Sequence, residues 1–184
     1  MKKIIIIIFT VLAVVSVNAK LLSIEISPTF AQPLSGFRDN TKSGLGFKAG
    51  PNLHLLGFLD ISAGVGYLTW AGPDNAMMSV SYKSIPVFAG MKIYPFKFMG
   101  IPAVPGEPFF YMEPGINIFT TETDFFTGNT NTDKENLTGI CIGAGYRIFP
   151  GKFGMNVKLD YNYFSGNDPK GFMGISIGIL YTLI

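Results

Sequence analysis

Eight ionisable side chains hold most of the chemical interest of this sequence. Glu25, Asp60, Glu113 and Asp160 are the acids, and Lys48, Lys92, Arg147 and Lys158 the bases. Each lies in a segment where apolar and polar residues alternate, and each takes the polar parity. Successive strand residues point to opposite faces, so all eight would share the inner face of a sheet closed on itself. Charges withdrawn from water must be paired or hydrogen-bonded. Four of each sign therefore predict an internal polar network that plugs the lumen. The competing reading is a narrow water path lined by the same groups.

Residue types suited to other chemistry are sparse. His54 is the only histidine. It falls at a predicted turn with no adjacent Ser or acid in sequence, so an interfacial role is preferred to that of a general base. Glu122, Asp124, Asp133 and Glu135 share the stretch from Thr121 to Asn136 with Lys134, but their spacing does not encode a Ca²⁺ loop. A solvated acidic loop is expected there, with no metal and no cofactor. Phe125 and Phe126 at its middle are candidates to contact a partner, lie on lipopolysaccharide, or fold back over the mouth. Cys141 is the only cysteine, which excludes an internal disulfide; beside glycines it reads as a small filler.

Those residues need strands to position them, and the chain begins with something different. Lys2 and Lys3 precede an uncharged, mostly apolar run from Ile4 to Val17, and Val17-Asn18-Ala19 is a small-residue cleavage site. This predicts a signal peptide over 1–19 and one domain over 20–184. The apolar run is too short for a membrane span of about 20 residues. Without Lys2 and Lys3, the 14 Lys and Arg become 12, equal to the 12 Asp and Glu. A balanced charge gives no argument for nucleic acid as a partner.

Eight strand-like segments follow, at about Leu21–Ala31, Ser43–Leu53, Leu56–Trp70, Val80–Tyr94, Phe109–Thr121, Leu137–Phe149, Met155–Tyr163 and Gly171–Ile184. The clearest is Met155-Asn-Val-Lys-Leu-Asp-Tyr-Asn-Tyr163. A break of parity near Lys83 predicts a bulge. One face of each segment is aliphatic with aromatics toward its ends, among them Trp70, Tyr94, Phe149, Tyr161 and Tyr163. The other is rich in glycine and small polar residues and has too little charge for a water-facing surface. Apolar outside and polar inside is the membrane-barrel pattern, preferred here to a soluble barrel. The fold expected is all-β: an eight-stranded antiparallel up-and-down transmembrane β-barrel.

Connections alternate in character. Pro33–Lys42, Ala71–Met78, Thr121–Asn136 and Ser165–Lys170 are polar and are expected outside the cell, while Pro150-Gly151 and the link at His54–Gly57 are short. The proline-rich Pro95–Pro108 is long for the periplasmic side, and is either an ordered cap or a sign that strand limits differ there. Ala-Gly-Met-Lys-Ile-Tyr-Pro at 89–95 resembles Ala-Gly-Tyr-Arg-Ile-Phe-Pro at 144–150, a faint repeat that brings an inward base down to a proline turn.

With its export signal, eight alternating segments and these strand ends, the chain resembles the small outer-membrane β-barrel family of the OmpA/OmpX type over 20–184, a porin-family-like barrel. The C-terminus resembles the family's assembly signal, with Ser176, Gly178 and Tyr181 in place, Leu183 where the last aromatic stands, and Ile184 added. The resemblance implies residence in the outer membrane of a Gram-negative-type bacterium, outer-membrane lipid as surroundings, the barrel-assembly machinery as a partner during insertion, and a monomer. The function expected is non-enzymatic: a plugged barrel displaying loops, for an unknown extracellular ligand, in envelope integrity or adhesion. A small channel for ions or solutes is the alternative, and a lipid-modifying enzyme the third.

Overall fold

The computed structural model describes residues 22–39, 41–74, 78–101, 106–148, 152–166 and 169–183. The expected signal peptide, Phe149, the Pro150-Gly151 turn and Ile184 lie outside these.

Eight strands form a closed barrel in chain order, every neighbouring pair antiparallel. They are β1 (Leu22–Leu34), β2 (Gly44–Leu56), β3 (Leu59–Asp74), β4 (Met78–Ile93), β5 (Glu107–Phe125), β6 (Thr130–Ile148), β7 (Phe153–Ser165) and β8 (Lys170–Thr182). Two short helices cap it: α1 (Ser35–Asp39) after β1, and α2 (Pro95–Phe98) after β4. Closure removes the sheet edge, the only way in which strands can lie in lipid. No helix among the described residues is long and apolar enough to cross a membrane.

The alternation sorts side chains as the sequence requires. In β7 exposure and burial alternate without a break, with Met155, Val157 and Leu159 outward and Asn156, Lys158 and Asp160 inward. The outward face is aliphatic around the whole barrel, a surface far larger than soluble monomers leave open to water. Aromatics edge it: Phe153 and Tyr181 meet at 5.1 Å near the termini, and Tyr67, Tyr161 and Tyr163 lie toward the far end.

Several expectations are corrected. Trp70 and Tyr94 are not belt residues: both are 2% exposed and inside. Their even numbers share parity with Asp60 and Lys92, and parity, not residue type, decides the face. There is no bulge at Lys83, because the β3–β4 and β4–β5 registers run unbroken past it. Lys83 keeps the outward parity and pairs with Glu122 at 2.5 Å. The irregularity lies between Ala71 and Asp74, at Pro73, which has no amide to donate. Thr121–Asn136 is not a loop. Alternating threonines carry β5 and β6 on to Phe125 and Thr130, and Gly128 (φ 86°) turns the chain between them. The start of Pro95–Pro108 is ordered: α2 sets Phe98 edge-on against Phe58 at 5.2 Å, and Lys97 pairs with Glu107 at 2.7 Å; residues 102–105 lie outside the described set.

Candidate functional site: a lumen closed in three tiers

At the far end, α1 turns Phe37 into the mouth. Its ring meets Trp70 at 5.5 Å, Tyr82 at 5.6 Å and Phe119 at 5.7 Å, all edge-on, as aromatic quadrupoles prefer. Trp70 continues to Phe172 at 5.3 Å, and Ala31, Leu68, Leu137 and Phe164 complete a buried apolar layer. Lys170 lies over the Phe119 ring at 4.8 Å and reaches Glu135 at 3.5 Å.

The middle tier contains most of the expected charges. Glu25 projects from β1 and is reached by Lys92 of β4 at 2.7 Å and Lys158 of β7 at 2.5 Å. Ser27 donates to the same carboxylate at 2.7 Å, and Lys92 donates to Asn52 at 2.6 Å. Beside this cluster Lys48 lies 3.8 Å from Asp160, which also accepts from Tyr111 at 2.7 Å and from Asn162. Lys48 reaches Cys141 Sγ at 3.7 Å. The ammonium groups of Lys92, Lys158 and Lys48 lie 5.9, 5.8 and 5.9 Å from the rings of Phe109, Tyr111 and Phe88. Cations over ring faces gain electrostatic attraction in place of water.

Near the termini the third tier is built on Asp60. Its carboxylate accepts from Tyr94 at 2.7 Å and from Arg147 at 3.1 Å, and Arg147 also donates to the Tyr94 hydroxyl. The other carboxylate oxygen lies 2.6 Å from His54 Nδ1, across the β2–β3 hairpin where His54 and Asp60 are register partners.

All eight expected residues are thus inside and at most 6% exposed. Seven are brought together in ion pairs. Among the described residues Glu113 has no such partner: it lines two cavities of ≈20 Å³ each, shared with Lys48 and Phe88. Each cavity has room for about one water, and Ser62, whose hydroxyl finds no protein partner, lines one of them. Among the described residues no group of three or more His, Cys, Asp or Glu side chains converges to hold a metal.

The sequence reading of His54 misses its partners. Ser23 Oγ lies 3.3 Å from Nε2 while Asp60 holds Nδ1, the order of a serine–histidine–acid relay. The surroundings oppose that chemistry. Ser23 is 0% exposed, and Asp60 is already shared with Arg147 and Tyr94. The arrangement is a polar seal at the barrel's end. Closing the predicted hairpin around Gly57 would have placed Asp60 opposite His54; Ser23 comes from the neighbouring strand and leaves no local signal.

Of the expected assembly signal, Ser176 and Gly178 face inward, Tyr181 faces outward, and Leu183 donates its backbone N–H to Leu22 at 2.9 Å. Phe125 and Phe126 stand exposed at the tip of the β5–β6 hairpin.

No protein-family model and no curated protein sequence matches the chain. Solved structures do. A major outer membrane protein from Thermus thermophilus matches with a TM-score of 0.62 at 13% identity, over 87% of this chain and 98% of that one. Neisserial surface protein A matches at 0.57 and 14%, over 88% and 97%. Ail, the attachment invasion locus protein of Yersinia pestis, matches at 0.56 and 15%, over 89% and 99%. The chain has the fold of the small OmpA/OmpX-type outer-membrane barrels.

Proposed function

We propose that this protein lies in the outer membrane as a closed, non-conducting, non-enzymatic barrel that displays its far-end hairpins to the outside. The observation that carries the reading is closure of the lumen: an aromatic layer under α1, an ion-pair layer at Glu25, and the Asp60–Arg147–Tyr94 layer near the termini. Water and ions need a continuous path, and among the described residues the two cavities beside Glu113 hold about one water each. An aliphatic outer face needs lipid around it. Both termini then lie on the periplasmic side, and the β4–β5–β6 sheet, carrying Phe125 and Phe126, projects outward to meet another surface in adhesion or to brace the envelope.

Planar-bilayer recording tests this. The wild-type barrel is expected to give no steady openings. Steady ohmic conduction by the wild type would replace this reading with the small channel.

A further inference from the structure

The seam where β1 meets β8 is interrupted on the membrane face. Register partners run from Ser23–Thr182 to Ile26–Ile179 and resume at Thr29–Ser176, leaving Ser27 and Pro28 unpaired toward β8. Pro28 has no amide hydrogen to give. Gly178, across from Ser27, donates its N–H to the Asn156 side chain at 3.1 Å instead. Over this gap the outer surface is concave, a groove of ≈880 Å³ bordered by Phe30 and Leu45 at its upper end and Phe153 and Met155 at its lower end, with Pro28 and Ile177 between.

We propose that this groove holds one acyl chain of an anionic outer-leaflet lipid, whose headgroup rests on Arg38 and Lys42. The proposal depends on the membrane location argued above. The groove offers apolar side chains: Thr29 lines it but is turned inward at 2% exposure, and Gly46 and Gly154 have no side chain to present. It therefore takes a hydrocarbon tail and rejects a headgroup. A second barrel would bring a convex wall and bridge the hollow; a single chain lies along it.

Charge selects which lipid. The helix α1 packs on β1 and β8 at the far end of the same seam and exposes Arg38, next to Asp39. Lys42, also exposed, stands three residues above Leu45, about 10 Å along the strand, where its backbone N–H is fixed to Ala71 at 2.8 Å. The opposite rim carries Glu122, Asp124, Asp133 and Glu135 with Lys134 on the β5–β6 hairpin, and Glu122 and Glu135 pair with Lys83 and Lys170, which leaves that side one negative charge in excess. A negative headgroup is repelled from that side and drawn to this one.

Native mass spectrometry of the barrel, taken into mild detergent from phosphatidylcholine vesicles doped with phosphatidylglycerol, tests the site. The wild type is expected to retain one phosphatidylglycerol. Ile177→Trp, which fills the groove, should lose it, whereas Ile142→Trp, on the same outward face of β6, should keep it. Lys42→Glu should reduce the preference for phosphatidylglycerol over phosphatidylcholine about fivefold or more, since a basic residue near the headgroups contributes about 1 kcal/mol, which is that factor. Equal retention by Ile177→Trp and Ile142→Trp overturns the proposal, as does a dimer that Ile177→Trp abolishes, which would make a second copy the occupant. Heat-modifiable migration of every variant on gels keeps the two readings apart. Its loss in the wild type refutes the membrane barrel itself, while its presence without a bound lipid refutes only the groove.

Discussion

Replacing Glu25 by alanine is expected to cost the barrel about 3–5 kcal/mol of stability, the usual penalty for removing one member of a buried ion pair. Glu25 is 5% exposed and holds two ammonium groups, Lys92 at 2.7 Å and Lys158 at 2.5 Å. At an effective dielectric constant near 20, each attraction is about 6 kcal/mol, and desolvation of each ion offsets several kcal/mol of it. The intact cluster is therefore close to balance. Without Glu25 the attraction goes and the desolvation stays, leaving two like charges among Asn52, Phe109 and Tyr111. Glu25→Gln keeps an acceptor oxygen and should cost less. The triple replacement of Glu25, Lys92 and Lys158 by Met removes every charge in the cluster and should recover most of the loss. Urea unfolding in lipid vesicles measures this, followed by the fluorescence of Trp70, the only tryptophan, which is 2% exposed in the far-end aromatic layer. A loss below about 1 kcal/mol, the worth of one ordinary hydrogen bond, would refute the claim that these charges are held by one another. So would a triple variant no more stable than Glu25→Ala.

Three further substitutions test the faces and the packing. Leu159→Arg places a charge on the outward face at mid-strand and should cost about 2–4 kcal/mol in the same titration; near-zero loss would mean that this face is not in lipid. Gly50→Ala puts a methyl group 1.9 Å from the Ala63 carbonyl oxygen and 2.7 Å from the Gly64 Cα, so the fraction of heat-modifiable barrel should fall sharply, while Gly36→Ala, with nothing within 4 Å, should fold as the wild type.

The alternation makes the strands and their faces legible, because a period of two admits one assignment once the outer face is chosen. Residues such as Lys158 and Asp160 can be placed inside from the sequence by counting. Who they meet cannot. Glu25 is 67 residues from Lys92 and 133 from Lys158, and their meeting depends on the stagger with which the barrel closes. Trp70 and Tyr94 go astray where residue type overrules parity. The β5–β6 hairpin is hidden because its threonines, acids and asparagines read as loop composition, although their alternation is that of a strand with water on both faces. His54 shows the reverse: a short hairpin makes one partner recoverable, and a neighbouring strand supplies the other without warning.

The glycines explain how so crowded a lumen fits inside eight strands. Several large inward side chains lie where a neighbouring strand has no side chain. A methyl group at Gly145 would meet the Phe109 ring at 2.4 Å, one at Gly143 the Tyr111 ring at 2.8 Å, one at Gly44 the Trp70 ring at 2.4 Å, and one at Gly174 the Asp160 carboxylate at 2.3 Å. An eight-stranded barrel is only just wide enough for its side chains to fill, so these rings and this carboxylate use such slots in the wall. The pairing of glycine with a bulky neighbour is the device by which aromatic groups shield bare backbone in designed sheets. Here it does a second thing. It fixes which way Tyr111 and Phe109 lean, and those rings back the ammonium groups of Lys158 and Lys92. The inner face's low charge and high glycine content, which first argued against a water-facing surface, are therefore the conditions under which four acids and four bases can be enclosed at all.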